Sequence, residues 1–187
     1  MLNKALLLGV LTAAASFAAP ITYTASMSGL NENLPNASPS TGFATVIVDQ
    51  ALHTINVSLI FSGLIGGNVG SGHIHCCTAP NGNTGVALPF SGLPAATSGS
   101  YNPATFDMTL TATYQAGFLT ANGGTAASAE AALDAGIGSG LAYVNLHNSA
   151  FPGGELRGFL TLATPEPGTF GLMGAAVLGL GFLRRKK

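Results

Sequence analysis

Polar and apolar residues alternate with period two through the middle of this 187-residue chain. At 43–49, Ala44, Val46 and Val48 share one parity. At 52–61, Ile55, Val57, Leu59 and Phe61 face one way, and Thr54, Asn56 and Ser58 the other. At 105–113, Phe106, Met108 and Leu110 alternate with Asp107, Thr109 and Thr111. At 141–147, Val144 and Leu146 oppose Tyr143, Asn145 and His147. At 155–162, Leu156, Leu160 and Leu162 oppose Glu155 and Arg157. Such alternation predicts strands with one buried face. Segments 23–30, 69–75 and 86–90 supply three more candidates. Short strands separated by Gly, Pro and Asn turns predict an all-β fold, an antiparallel Greek-key β-sandwich of about eight strands. One segment departs from the pattern. Residues 126–135 are Ala-rich, with Thr125 placed to cap the start and Gly136 to end the run, which predicts one short crossover helix.

The two ends carry a different hydrophobic pattern. Lys4, an apolar stretch at 5–14 and Ser16-Phe17-Ala18 have the form of a signal peptide cut after Ala18. Near the other end, Pro165, Glu166 and Pro167 precede a Gly-rich apolar run at 169–183, and Arg184, Arg185, Lys186 and Lys187 follow. The run is short against the roughly 20 residues that span a bilayer, and its glycines weaken it as a helix. The expected organisation is therefore a signal peptide at 1–18, one domain at 19–164 and a sorting tail at 165–187.

Removing both ends changes the charge. The middle keeps Glu32, Asp49, Asp107, Glu130, Asp134 and Glu155 against Arg157 alone, a net charge of −5 with histidine neutral. No basic surface for nucleic acid remains. A surface of Ser, Thr, Asn and Gly suits an extracellular setting.

Chemistry concentrates in two places. In a strand, His73 and His75 point to one face, roughly 6.6 Å apart, while Ile74 faces the core. Two imidazoles so placed can share one Zn or Cu ion. If the strand holding His147 is a neighbour, three imidazoles meet; otherwise these are polar histidines on an outer face. Beside them lie Cys76 and Cys77, the chain's two cysteines. Three states are open to them: a disulfide between neighbours, a thiolate joining the histidines on a metal, or pairing between chains. Glu155 and Arg157 share a strand face and read as a structural ion pair. There is no phosphate-binding Gly loop, nucleophile elbow or pair of catalytic carboxylates, so no catalytic residue is assigned.

The C-terminal motif, apolar run and basic cluster resemble the PEP-CTERM signal of Gram-negative bacteria. That resemblance implies recognition by an exosortase after signal peptidase has acted, and membrane contact only through the C-terminal segment, as a transmembrane helix, before processing. It further implies delivery to the cell surface or exopolysaccharide matrix. The middle resembles the CHRD domain through Ser28-Gly29-Leu30-Asn31-Glu32-Asn33, Gly72-His73-Ile74-His75, the 140–147 segment and the 151–158 segment. This implies an all-β extracellular domain without a settled activity. Cys76-Cys77 departs from the family's Gly and Pro at that point. The histidine pattern also resembles the copper side of Cu/Zn superoxide dismutases, although four histidines in all leave little for a second metal. Two functions follow as expectations: a non-enzymatic β-module displayed at the surface or in a biofilm matrix, with exopolysaccharide or surface proteins as partners, and a Cu- or Zn-binding extracytoplasmic protein, redox-active or not, using the histidine cluster.

Overall fold

The computed structural model describes residues 19–164. The signal peptide and the sorting tail expected from the sequence lie outside the described residues. The strands are β1 (Ile21–Ser28), β2 (Thr41–Asp49), β3 (Thr54–Ser62), β4 (Ser71–Cys76), β5 (Val86–Pro89), β6 (Gly99–Asp107), β7 (Ala142–His147), β8 (Leu156–Phe159) and β9 (Thr161–Leu162). The five alternating segments and the three further candidates all contain or adjoin a strand, and every pairing is antiparallel. The all-β expectation holds.

The strands form one curled sheet in the order β5-β4-β7-β8-β1-β2-β3-β6, with β9 beside β1. The join between β8 and β1 is narrow, a single residue pair of Ser28 with Arg157. The two halves on either side of that join share one apolar core. The first half contributes Ala44, Val46, Val48, Ile55, Val57 and Leu59, the parity read from the sequence. The second contributes Ile74, Val144, Leu146 and Leu156, none of them exposed. Burying such a side chain stabilises the fold by about 1.5–3 kcal/mol.

The halves differ on their outer faces. On β2 and β3 the outer face meets solvent, and Phe43 and Ile60 are exposed. On β4, β7 and β8 it is covered by the 29–40 and 77–85 segments. Asn33 Nδ2 donates to the Asn81 carbonyl and Asn83 Nδ2 to the Asn33 carbonyl, which ties the two covering segments together. Strands buried on both faces explain why Tyr143, Asn145 and Arg157 are buried although they alternate with core residues.

Two elements depart from the alternation. The strand expected at 105–113 runs instead from Gly99 to Asp107. It ends where Asp107 Oδ1 accepts hydrogen bonds from the Thr109 backbone N–H and hydroxyl, a side-chain-closed turn that turns the chain out of the sheet. Met108 is buried but Leu110 is exposed, so the alternation there does not continue a face. β6 is an edge strand, and its register shifts opposite Ser58.

The second departure is helical. The expected helix is α2 (Ala126–Gly138), and Thr125 Oγ1 caps it by accepting from the Ser128 N–H. Gly136 lies inside rather than at the end; the chain leaves the helix at Gly140, whose φ is +69°. A short α1 (Ala116–Ala121) precedes it. Gly136 has a packing reason. A Cβ there would collide with the sulfurs of both Cys76 and Cys77. Alanine normally improves a helix interior by about 1 kcal/mol over glycine. Here Gly136→Ala is expected to destabilise by about 1–3 kcal/mol through overpacking, read as a lowered urea midpoint. Adding Cys77→Ala should recover part of the loss.

Candidate metal centre

Strand pairing brings the three histidines together. β4 and β7 are neighbours, with Ser71 opposite His147, His73 opposite Asn145 and His75 opposite Tyr143. His147 therefore lies diagonal to His73 on the same face. Ring centroids are 5.5 Å apart for His73 and His75, 5.2 Å for His73 and His147, and 6.2 Å for His75 and His147. One ring nitrogen from each lies within 4.8 Å of the others.

Hydrogen bonds set which nitrogen each ring offers. His75 Nδ1 donates to the Thr84 carbonyl at 2.9 Å, and His147 Nδ1 donates to the Pro152 carbonyl at 3.0 Å. A carbonyl only accepts, so the proton sits on Nδ1 and Nε2 of the neutral ring carries a lone pair. Nε2 of His75, Nε2 of His147 and Nδ1 of His73 are buried and have no hydrogen-bond partner. Buried nitrogens without partners are costly. With one nitrogen of each ring within 4.8 Å of the others, the three histidines form a donor set, and the carbonyl contacts orient two of its members.

The rings are held neutral. Burial, then the charges of His147 and His75, lower the His73 pKa to about 4. Burial also lowers His75 and His147, partly offset by their carbonyl contacts. A histidine whose folded pKa lies below its unfolded value contributes stability at neutral pH that is lost as pH falls from about 6.5 through the folded value. Glu32 acts in the opposite sense: burial raises it to about 7, so it favours the folded state as pH falls toward 4.5. Three histidines outnumber one carboxyl. His73 and Glu32 oppose each other, and the lowered His75 and His147 tip the balance, so the metal-free protein should be less stable at pH 5 than at pH 7. Urea midpoints at the two pH values measure it.

Neighbouring side chains are fixed around the cluster. Tyr143 stacks on His75 at 4.7 Å and an interplanar angle of 5°. The buried Arg157 guanidinium lies 3.8 Å above the Tyr143 ring. It donates to Asn83 Oδ1 at 2.9 Å and to the Gly82 carbonyl at 2.6 Å. Asn145 Nδ2 donates to Glu32 Oε1 at 2.6 Å.

The ion pair expected of Glu155 and Arg157 does not form; among the described residues the ion pair present is His53 with Glu130. Glu155 is fully buried and accepts from Ser38 Oγ, Ser40 Oγ, the Ile65 and Gly66 N–H groups and Asn148 Nδ2. Burial pushes its carboxyl up, but these donors outweigh that and hold it below the usual range. With five donors already satisfying the carboxylate, Arg157 turns instead to the 80–83 loop.

The sulfurs of Cys76 and Cys77 lie within bonding reach of each other, against Gly136 of α2. They are not in the histidine group. A separate cleft of about 630 Å³, lined by Leu30, Glu32, Asn81 and Phe159 among others, contains none of the three histidines.

Fold and site define a class: an antiparallel β-domain with a three-imidazole cluster on one sheet face. Residues 23–160 match the CHRD domain family, and the chain belongs to that family. Residues 163–186 match the PEP-CTERM protein-sorting motif. That motif implies processing by an exosortase during export, transient membrane anchoring and surface localisation in a Gram-negative bacterium. No curated protein and no solved structure matches the chain. No helix among the described residues is long and apolar enough to cross a membrane.

Proposed function

We propose that this exported domain holds one Cu or Zn ion through His73, His75 and His147, and is displayed at the cell surface or in the exopolysaccharide matrix. The observation that carries the metal reading is three histidines that bring one ring nitrogen each within 4.8 Å of the others, each ring also holding a buried nitrogen without a partner. Imidazole nitrogens suit both ions, and Cu²⁺ binds such donors more tightly than Zn²⁺. Elemental analysis of purified protein equilibrated with either ion and then dialysed is the test. One ion per chain is expected; none above background in folded protein overturns the reading.

The matrix location is supported by the sorting motif together with a domain carrying one Arg and no Lys. Fractionation of the native host should find the protein with the surface or polysaccharide fraction, and a cytoplasmic protein would contradict this. For the cysteines we propose a disulfide between Cys76 and Cys77, supported by an oxidising destination and by their place against α2. Without reductant, alkylating agent should leave the protein's mass unchanged. A gain of two alkyl groups would refute the pairing.

A further inference from the structure

We propose that the metal centre is open, and that its remaining position takes a small exogenous anion. This rests on the metal reading of the same cluster and adds what the bound ion does next.

The donors are too few to close the site. Structural zinc sites use four protein ligands, whereas three protein ligands leave a position for water or substrate. Among the described residues the group of candidate ligands holds His73, His75 and His147 and no fourth His, Cys, Asp or Glu. The residues that could have supplied a fourth are engaged elsewhere. The cysteine sulfurs lie against Gly136. Glu155 follows the register that would set it beside His147, but its oxygens accept from the serines, Asn148 and two backbone N–H groups. Glu32 accepts from Asn145.

Direction and charge point the same way. All three rings rise from one face of the β4–β7 ladder, so protein donors approach the ion from the sheet side. His73 and His147 are half-buried rather than sealed, so solvent meets part of these two residues although the ring nitrogens themselves are covered in the metal-free structure. Three neutral imidazoles do not offset a divalent charge, and no carboxylate within ligating reach does so. A small anion in the open position supplies the missing negative charge and the missing donor together.

Azide is the probe. Purified protein loaded with one Cu²⁺ is titrated with sodium azide and followed by visible absorption and electron paramagnetic resonance. The expected result is a saturable change of the copper spectrum with one azide per copper, unaltered in His53→Ala, whose histidine lies outside the cluster. A copper spectrum that shows histidine nitrogen couplings but does not respond to azide overturns the open centre while leaving the metal reading intact. Failure to load copper at all overturns both.

Discussion

His75→Ala is expected to abolish stoichiometric Cu or Zn binding, with affinity falling at least about 100-fold. Residues that merely orient a ligand are worth about 10- to 100-fold in metal affinity, so deleting a ligand costs no less. His75 is the strongest choice of the three. Its Nδ1 is anchored to the Thr84 carbonyl and its ring is stacked on Tyr143, so its Nε2 is the most firmly aimed donor. The substitution also removes a buried nitrogen without a partner. The metal-free variant should therefore lose the stacking contact and the Thr84 hydrogen bond, offset in part by removal of that nitrogen. His53→Ala serves as the comparison, since His53 lies at the β2–β3 turn against Glu130. Titration followed by calorimetry should show binding unchanged there. Equal loss in both variants would mean that the ion binds histidines at random.

Glu155→Ala is expected to destabilise the domain by about 3–5 kcal/mol, the range for removing one partner from a buried charged network. Its carboxylate is the common acceptor for three segments. Ser38 and Ser40 reach it at 2.6 and 2.7 Å, the Ile65 N–H at 2.8 Å, and Asn148 closes the set. Alanine would leave the Ile65 and Gly66 N–H groups and the Asn148 amide without this acceptor, at about 1–3 kcal/mol each where no water replaces the oxygen, whereas the Ser38 and Ser40 hydroxyls can turn to each other and to the Gly63 carbonyl. The same bonds fix the covering 36–40 segment and the start of the 148–155 loop, which carries the Pro152 carbonyl that orients His147. Glu155→Gln should cost less but still lose stability, because its amide NH₂ faces donors. Urea unfolding measures both. A change under about 1 kcal/mol for Glu155→Ala would show that water takes the carboxylate's place.

The alternation along the chain carried the parity of the site. It put His73 and His75 on one face and Tyr143, Asn145 and His147 on another single face, because side chains alternate strictly in a strand. It did not carry the pairing of β4 with β7. That contact joins residues on either side of β5, β6 and both helices, and register between distant strands follows from global packing. The Glu155 network was hidden for the same reason: Ser38 and Ser40 are 117 and 115 residues away in sequence. Proximity along β8 suggested an ion pair with Arg157 instead. Composition could not show that segments 29–40 and 77–85 cover one sheet face, which turns an apparently solvated row of polar residues into a buried one. Helix α1 is a single short segment that lacks a side-chain cap, which leaves little periodic signal. The Asp107 turn, by contrast, had a readable cue in Asp-x-Thr, overridden by an apolar alternation that ran past it.

In the proposed function, His73, His75 and His147 together hold one metal ion. Anomalous diffraction from crystals grown with Cu²⁺ or Zn²⁺ tests it most directly. The expected result is one strong peak per chain, about 2.0–2.1 Å from a ring nitrogen of each of His73, His75 and His147. A peak confined to another place, such as His53 and Glu130, or no peak within bonding distance of the three rings in metal-grown crystals, would contradict it.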